Sequence, residues 1–95
     1  MQFLLTAYDG TDSNALERRM AVREDHLGNV KKLKESGNFI WGGALLGDDG
    51  NMIGSVVVYE FNSRAELDLM LESEPYILGK VWKKIRVKNF KLASI

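Results

Sequence analysis

"FIWGGALLGDDGNMIGSVVVYEF", residues 39–61, is the stretch on which the fold turns. It divides into two apolar runs, 39–46 and 53–61, around "GDDGN", whose composition is that of a hairpin turn. The second run is the most β-branched segment of the chain, and branched side chains suit a pleated surface better than a helix. Two strands joined this closely pair antiparallel.

Working outward, "QFLLTAY" (2–8) reads as a first strand closed by the turn residues of "DGTDSN". Helical periodicity then runs from Asn14 to "ESGN", with Gly37 as its stop. Beyond the hairpin, "NSRAEL" opens a second helix, capped by Asn62 or Ser63 with Glu66 placed for a capping box. That helix should end before Pro75, which takes Glu74 out of helical geometry. Residues 81–92 form a fourth strand. The order β-α-β-β-α-β in a single domain over 1–95 predicts an α+β, ferredoxin-like fold. No linker or repeat interrupts it.

Two crossover helices cover one face of such a sheet. Strand two offers Phe39 and Trp41 to one side, Ile40 and Leu46 to the other. Strand three offers Val56 and Val58 to one side, Val57, Tyr59 and Phe61 to the other. Both faces are therefore apolar and only one is covered, so a homodimer packed sheet against sheet is expected.

Composition narrows the partners. The 13 Lys and Arg balance the 13 Asp and Glu, and a formal net charge of zero counts against nucleic acid. Apolar residues at 45% and charged residues at 27% are the balance of a globular chain. Without cysteine there is no disulfide, thiolate metal site or cysteine nucleophile. With one histidine, a zinc site would have to be built almost wholly of carboxylates, so no metal is expected. No apolar run approaches the roughly 20 residues that span a bilayer, so no membrane partner is expected. The N-terminus lacks the basic region of a signal peptide, which leaves the cytoplasm as the expected location. No dinucleotide, phosphate-loop or nucleophile-elbow motif occurs, and no cofactor is expected. "GSVVVYEF" lacks the basic-glycine-aromatic pattern of an RNA-binding sheet. Lys83, Lys84, Arg86 and Lys88 read as a solvated edge.

The first helix holds the irregularity. At roughly 100° per residue, Leu16, Met20, Leu27, Val30 and Leu33 share one sector, and Arg19, Arg23 and His26 fall inside it. Each would cost several kcal/mol, roughly, if buried without a partner. Arginines that snorkel and a histidine bonded to a carbonyl are the structural alternative. Their convergence where the helix meets the sheet points instead to a cleft. There Arg23 and His26 would attract a small anionic or polar ligand, and His26 would move protons near neutral pH. In "ESEPYILG" (72–79), Glu74 stands in a turn before Pro75 with Tyr76 beside it. It either closes a helix or, if it faces the histidine, supplies the carboxylate that fixes an imidazole tautomer.

The chain resembles the YciI-like (YCII-related) family. The resemblance rests on the "R" and "HL" of "VREDHL", on "ESGNFIWGGAL", on "GSVVVYEF", and on "EPY" followed by "VKNFK". It implies a ferredoxin-like dimeric α+β barrel and a histidine paired with an acid, matching His26 and Glu74. The family usually has aspartate where Glu74 stands, and often proline just before the histidine, where this chain has Glu24 and Asp25. Its implied chemistry is lyase- or isomerase-like action on small cyclic compounds, dehydrochlorination included.

The resulting expectation is a small cofactor-independent enzyme using His26 and Glu74 for acid/base chemistry. Arg23 would hold an anionic group, with Tyr76, Ser55 and Arg19 lining the substrate pocket. The competing expectation is a non-catalytic dimeric module that binds a small molecule in the same pocket. A third, cofactor-free oxygenase chemistry, would need a substrate that itself activates oxygen.

Overall fold

In the computed structural model, which describes residues 1–95, the elements follow in the order β1 (Gln2–Asp9), α1 (Ala15–Glu35), β2 (Phe39–Leu46), β3 (Met52–Glu60), α2 (Arg64–Leu71), α3 (Pro75–Leu78) and β4 (Trp82–Phe90). The four strands form one antiparallel sheet in the order β2-β3-β1-β4. β1 and β2, joined by α1, are thus separated by β3, which is the ferredoxin-like arrangement. No helix is long and apolar enough to cross a membrane.

Period-2 alternation places the core. Phe3, Leu5 and Ala7 are fully buried, and across β3 they face Tyr59, Val57 and Ser55. Leu67 and Leu71 of α2, Tyr76 of α3, and Val81 and Trp82 complete the buried cluster on the same face. α1 ends at Gly37, whose φ of +83° suits glycine, with the Asn38 amide donating back to the Leu33 carbonyl at 2.8 Å. Ser63 caps α2 by accepting the Glu66 amide at 3.2 Å, and the Glu66 carboxylate accepts the Asn62 amide in return.

Four expectations need correcting. β1 continues to Asp9, which keeps the inward parity of Ala7 and is buried rather than part of a turn. Phe39 and Trp41 do not share a side. The register shifts between them, so Phe39 packs on the core while Trp41 pairs with Val58 on the outer face. A one-turn helix, α3, follows Pro75, because proline is at home in a first helical turn even where it ends the preceding helix.

The fourth concerns α1. Its two buried residues are Arg19 and His26, with Val22, Asn29 and Leu33 partly covered on the same arc. Leu16, Met20 and Leu27 lie roughly 100° further round the helix and are 36%, 50% and 44% exposed. The helix is rotated so that Arg19 and His26, rather than Leu16, Met20 and Leu27, face inward, with Val22 and Leu33 packing against the core beside them.

The outer face is mixed. Trp41, 56% exposed, and the partly exposed Leu4 and Val56 lie there, and the parity of β4 brings Lys84, Arg86 and Lys88 to the same side. All three cations are exposed on an edge strand, as expected for them.

Two backbone positions and one phenol give tests. A Cβ on Gly54 would stand 2.4 Å from the Ala7 carbonyl oxygen, which no side-chain rotation relieves. Gly54→Ala should therefore cost about 1–3 kcal/mol in denaturant unfolding. Gly28, on α1, meets nothing within 4 Å, so Gly28→Ala should stabilise by roughly 0.5–1 kcal/mol. The buried Tyr59 hydroxyl has no hydrogen-bond partner, and burial together with the nearby Glu74 charge pushes its pKa far up. A proton bound more tightly in the folded state gives stability that is full below the unfolded tyrosine pKa of about 10 and is lost as pH rises beyond it. Tyr59→Phe should leave neutral-pH stability equal or slightly raised and should lessen the alkaline loss, as read by urea unfolding at pH 7 and pH 11.

Candidate active site

The conformation of Glu74 is set locally. Pro75 holds the preceding residue extended (φ −66°, ψ 122°), and the Glu74 side chain folds forward to cap α3, accepting the Tyr76 amide at 3.0 Å. The carboxylate is wholly buried. Its Oε1 also meets His26 Nδ1 at 2.6 Å, and its Oε2 accepts from Asn29 Nδ2 at 3.1 Å. His26 and Asn29 stand three residues apart on α1, so one helical turn presents both donors to one acid. An ionised carboxylate can only accept, so Nδ1 donates to Glu74, and in the neutral ring Nε2 then carries the lone pair; it has no protein partner.

The ring itself is fixed. Tyr76 stacks on His26 with centroids 3.8 Å apart and planes 11° from parallel, and Trp82 meets the imidazole edge-on at 6.0 Å. Arg19 lies over the Tyr76 ring, its guanidinium carbon 4.7 Å from the centroid. One ring face cannot hold both neighbours at such distances, so Tyr76 is sandwiched between imidazole and guanidinium.

Arg19 belongs to a second buried network. Its Nη1 donates to both oxygens of Asp9 at 3.0 Å, and its Nη2 donates to Ser55 Oγ at 3.0 Å. Trp82 Nε1 donates to the same Ser55 oxygen at 3.1 Å. Burial raises the Tyr76 phenol pKa against the lowering pull of Arg19 and Arg23, so it stays a neutral hydroxyl at pH 7.

A cavity of about 170 Å³ lies against these groups, between α1 and the β2 edge of the sheet. Arg19, Arg23, His26, Ser55 and Tyr76 line it, and Leu27, Val30, Phe39 and Val57 supply apolar wall. Gly42, Gly43 and Ala44 keep the β2 side clear. Arg23 is half-buried there and makes no hydrogen bond or ion pair within the protein, whereas Arg19 is committed to Asp9 and Ser55. Glu74 stands behind His26, outside the cavity lining. A larger open trough of about 1230 Å³, lined by Thr6, Tyr8, Asp9 and the Lys83–Arg86 edge, contains none of these groups except Asp9.

Five of the six residues singled out in the sequence thus line one cavity, and the sixth, Glu74, stands behind His26. Three participants were missed there. Asp9 was hidden in an apparent turn, although its parity with Phe3, Leu5 and Ala7 points inward. Asn29 is one turn after His26 on the same helix face, a signal that spacing could have supplied. Trp82 stands next to a buried valine at the start of β4 and carried no polar clue.

The profile of the YCII-related domain matches residues 1–91. The chain is 31% identical to Protein YciI of Escherichia coli O6:H1 over 97 residues, covering 96% of this chain and 97% of that protein. It is 36% identical over 88 residues to the derivative of benzaldehyde biosynthesis cluster protein C of Emericella nidulans, covering 82% and 90%. Among solved structures it superposes on 5-chloro-2-hydroxyhydroquinone dehydrochlorinase (TftG) of Burkholderia phenoliruptrix AC1100, in complex with 2,5-dihydroxybenzoquinone. That match has a TM-score of 0.84, 26% identity, and coverage of 98% and 96% of the two chains. With a ferredoxin-like sheet and a family profile that spans nearly all of it, this chain belongs to the YCII-related family.

Proposed function

We propose that this protein is a cofactor-independent acid/base enzyme acting on a small oxygenated ring compound by elimination or isomerisation. The observation that carries the reading is the 2.6 Å contact between His26 Nδ1 and the buried Glu74 carboxylate, which leaves Nε2 free beside a cavity. Glu74 holds the Nδ1 proton and stabilises the imidazolium that forms when Nε2 accepts a proton. The electron pair of the broken C–H or O–H bond makes the new π bond. In elimination a leaving group departs with the electrons of its own bond, and in isomerisation the proton returns at another atom.

The cavity supports the substrate class. Its volume of about 170 Å³ is close to the roughly 150 Å³ that holds a benzene ring. Arg23, with no partner in the protein, would pair with an anionic oxygen of the substrate. The dehydrochlorinase of similar structure, whose named ligand is a dihydroxybenzoquinone, points to the same class.

The protein is further read as a cytoplasmic homodimer whose outer sheet faces pack together, covering Trp41 and its neighbours. Trp41, Tyr8 and Phe90, all exposed on that mixed apolar and cationic face, support this reading.

Chloride release from 5-chloro-2-hydroxyhydroquinone is the direct assay. His26→Ala should lower turnover at least about 100-fold while the protein stays folded, and Glu74→Gln should lower it less, because an amide still bonds the ring but carries no charge. Undiminished turnover in His26→Ala would overturn the assignment. Sedimentation velocity at micromolar concentration should show a dimer, and Trp41→Glu should shift it to monomer. A wild-type monomer removes the dimer from the account.

A further inference from the structure

The Ser55 hydroxyl has an unusual hydrogen-bond inventory. A serine oxygen offers two acceptor positions and one proton. Here both acceptor positions are filled, by Arg19 Nη2–H at 3.0 Å and Trp82 Nε1–H at 3.1 Å. Neither a guanidinium nor an indole N–H can accept a bond in return. The serine proton therefore cannot go to either neighbour, and no other protein group takes it.

The arrangement is rigid. Arg19 is pinned by the two oxygens of Asp9, so its Nη2 cannot swing away from the serine. Trp82 is a core residue packed edge-on against the stacked pair of Tyr76 and His26. Ser55 sits on β3 opposite Ala7, with its side chain among the cavity-lining groups. Two donors on one oxygen polarise its O–H bond, and a cationic donor does so more strongly.

We propose that Ser55 is a donor-only contact that selects ring substrates carrying an acceptor oxygen, whether carbonyl, phenol or enolate, and discriminates against a pyrrole-type ring N–H at the same position. This rests on the cavity being the substrate site. A pyrrole-type nitrogen has given its lone pair to the ring and offers only a proton, which Ser55 has no lone pair left to receive. In the reaction, charge displaced from the broken bond into a conjugated oxygen strengthens the Ser55 bond as the proton moves to His26.

The test compares 1-indanone, which presents only an acceptor, with indole, which presents only an N–H donor, by calorimetry at pH 7. The two are similar in size and uncharged. Wild-type protein should bind the ketone at least about tenfold more tightly, the ratio that one buried hydrogen bond supplies. Ser55→Cys keeps the shape but presents a weak donor, and should lose most of that preference. Ser55→Thr retains the hydroxyl and should keep it. The Trp82 indole N–H resonance reports that each variant is folded.

Equal binding of the two compounds by wild type, or full preference in Ser55→Cys, overturns the proposal. No binding of either compound overturns it together with the cavity reading. Wild-type protein that shows the preference but releases no chloride from 5-chloro-2-hydroxyhydroquinone defeats the catalytic reading and leaves Ser55 standing.

Discussion

A carboxylate with no access to water persists only if protein donors replace the water it gave up. Glu74 is that carboxylate, and three donors answer it: the Tyr76 amide, Asn29 Nδ2 and the His26 ring. Two of these come from α1 and one from the first turn of α3. A single side chain therefore sets the start of one helix, the docking of another and the orientation of the imidazole. Removing one member of such a buried pair typically costs about 3–5 kcal/mol, because the other is left uncompensated. The same constraint makes the site and the fold hard to separate. A change that frees His26 also loosens α3.

The Arg19–Asp9 pair does the corresponding job at the other end of α1, tying the helix to the last residue of β1. Together the two networks explain why α1 does not lie on Leu16, Met20 and Leu27. A helix normally docks through an apolar stripe, but here the arc facing the sheet carries a guanidinium, an imidazole and an amide, each with a partner waiting in the sheet or α3. Leu16, Met20 and Leu27 are displaced to the flank and stay exposed. The two networks meet at Tyr76, whose ring touches the imidazole on one side and the guanidinium on the other.

The element order was legible in the sequence because each element carries its own local signal. The hairpin turn stands between β-branched runs, Ser63 and Glu66 mark one helix start, and Gly37 marks one helix end. His26, Arg19 and Arg23 were legible as misfits in an apolar sector, and Glu74 as the acid the family resemblance supplies. What stayed hidden depends on tertiary context. The shift between Phe39 and Trp41 is an adjustment of strand pairing, visible only once β3 is alongside. The rotation of α1 follows from Asp9 and Glu74 lying within reach, which periodicity on one helix cannot report. α3 is a single turn, too short to show any periodicity.

The Tyr76 sandwich has a stereochemical consequence. With one imidazole face covered at 3.8 Å and its Nδ1 edge tied to Glu74, the ring can neither flip nor swing. On the proposed reading of His26 as the proton carrier, it would serve a bound ring from one side. A proton taken from carbon and given back to carbon would then travel suprafacially, and a product that acquires a stereocentre there would acquire a single configuration.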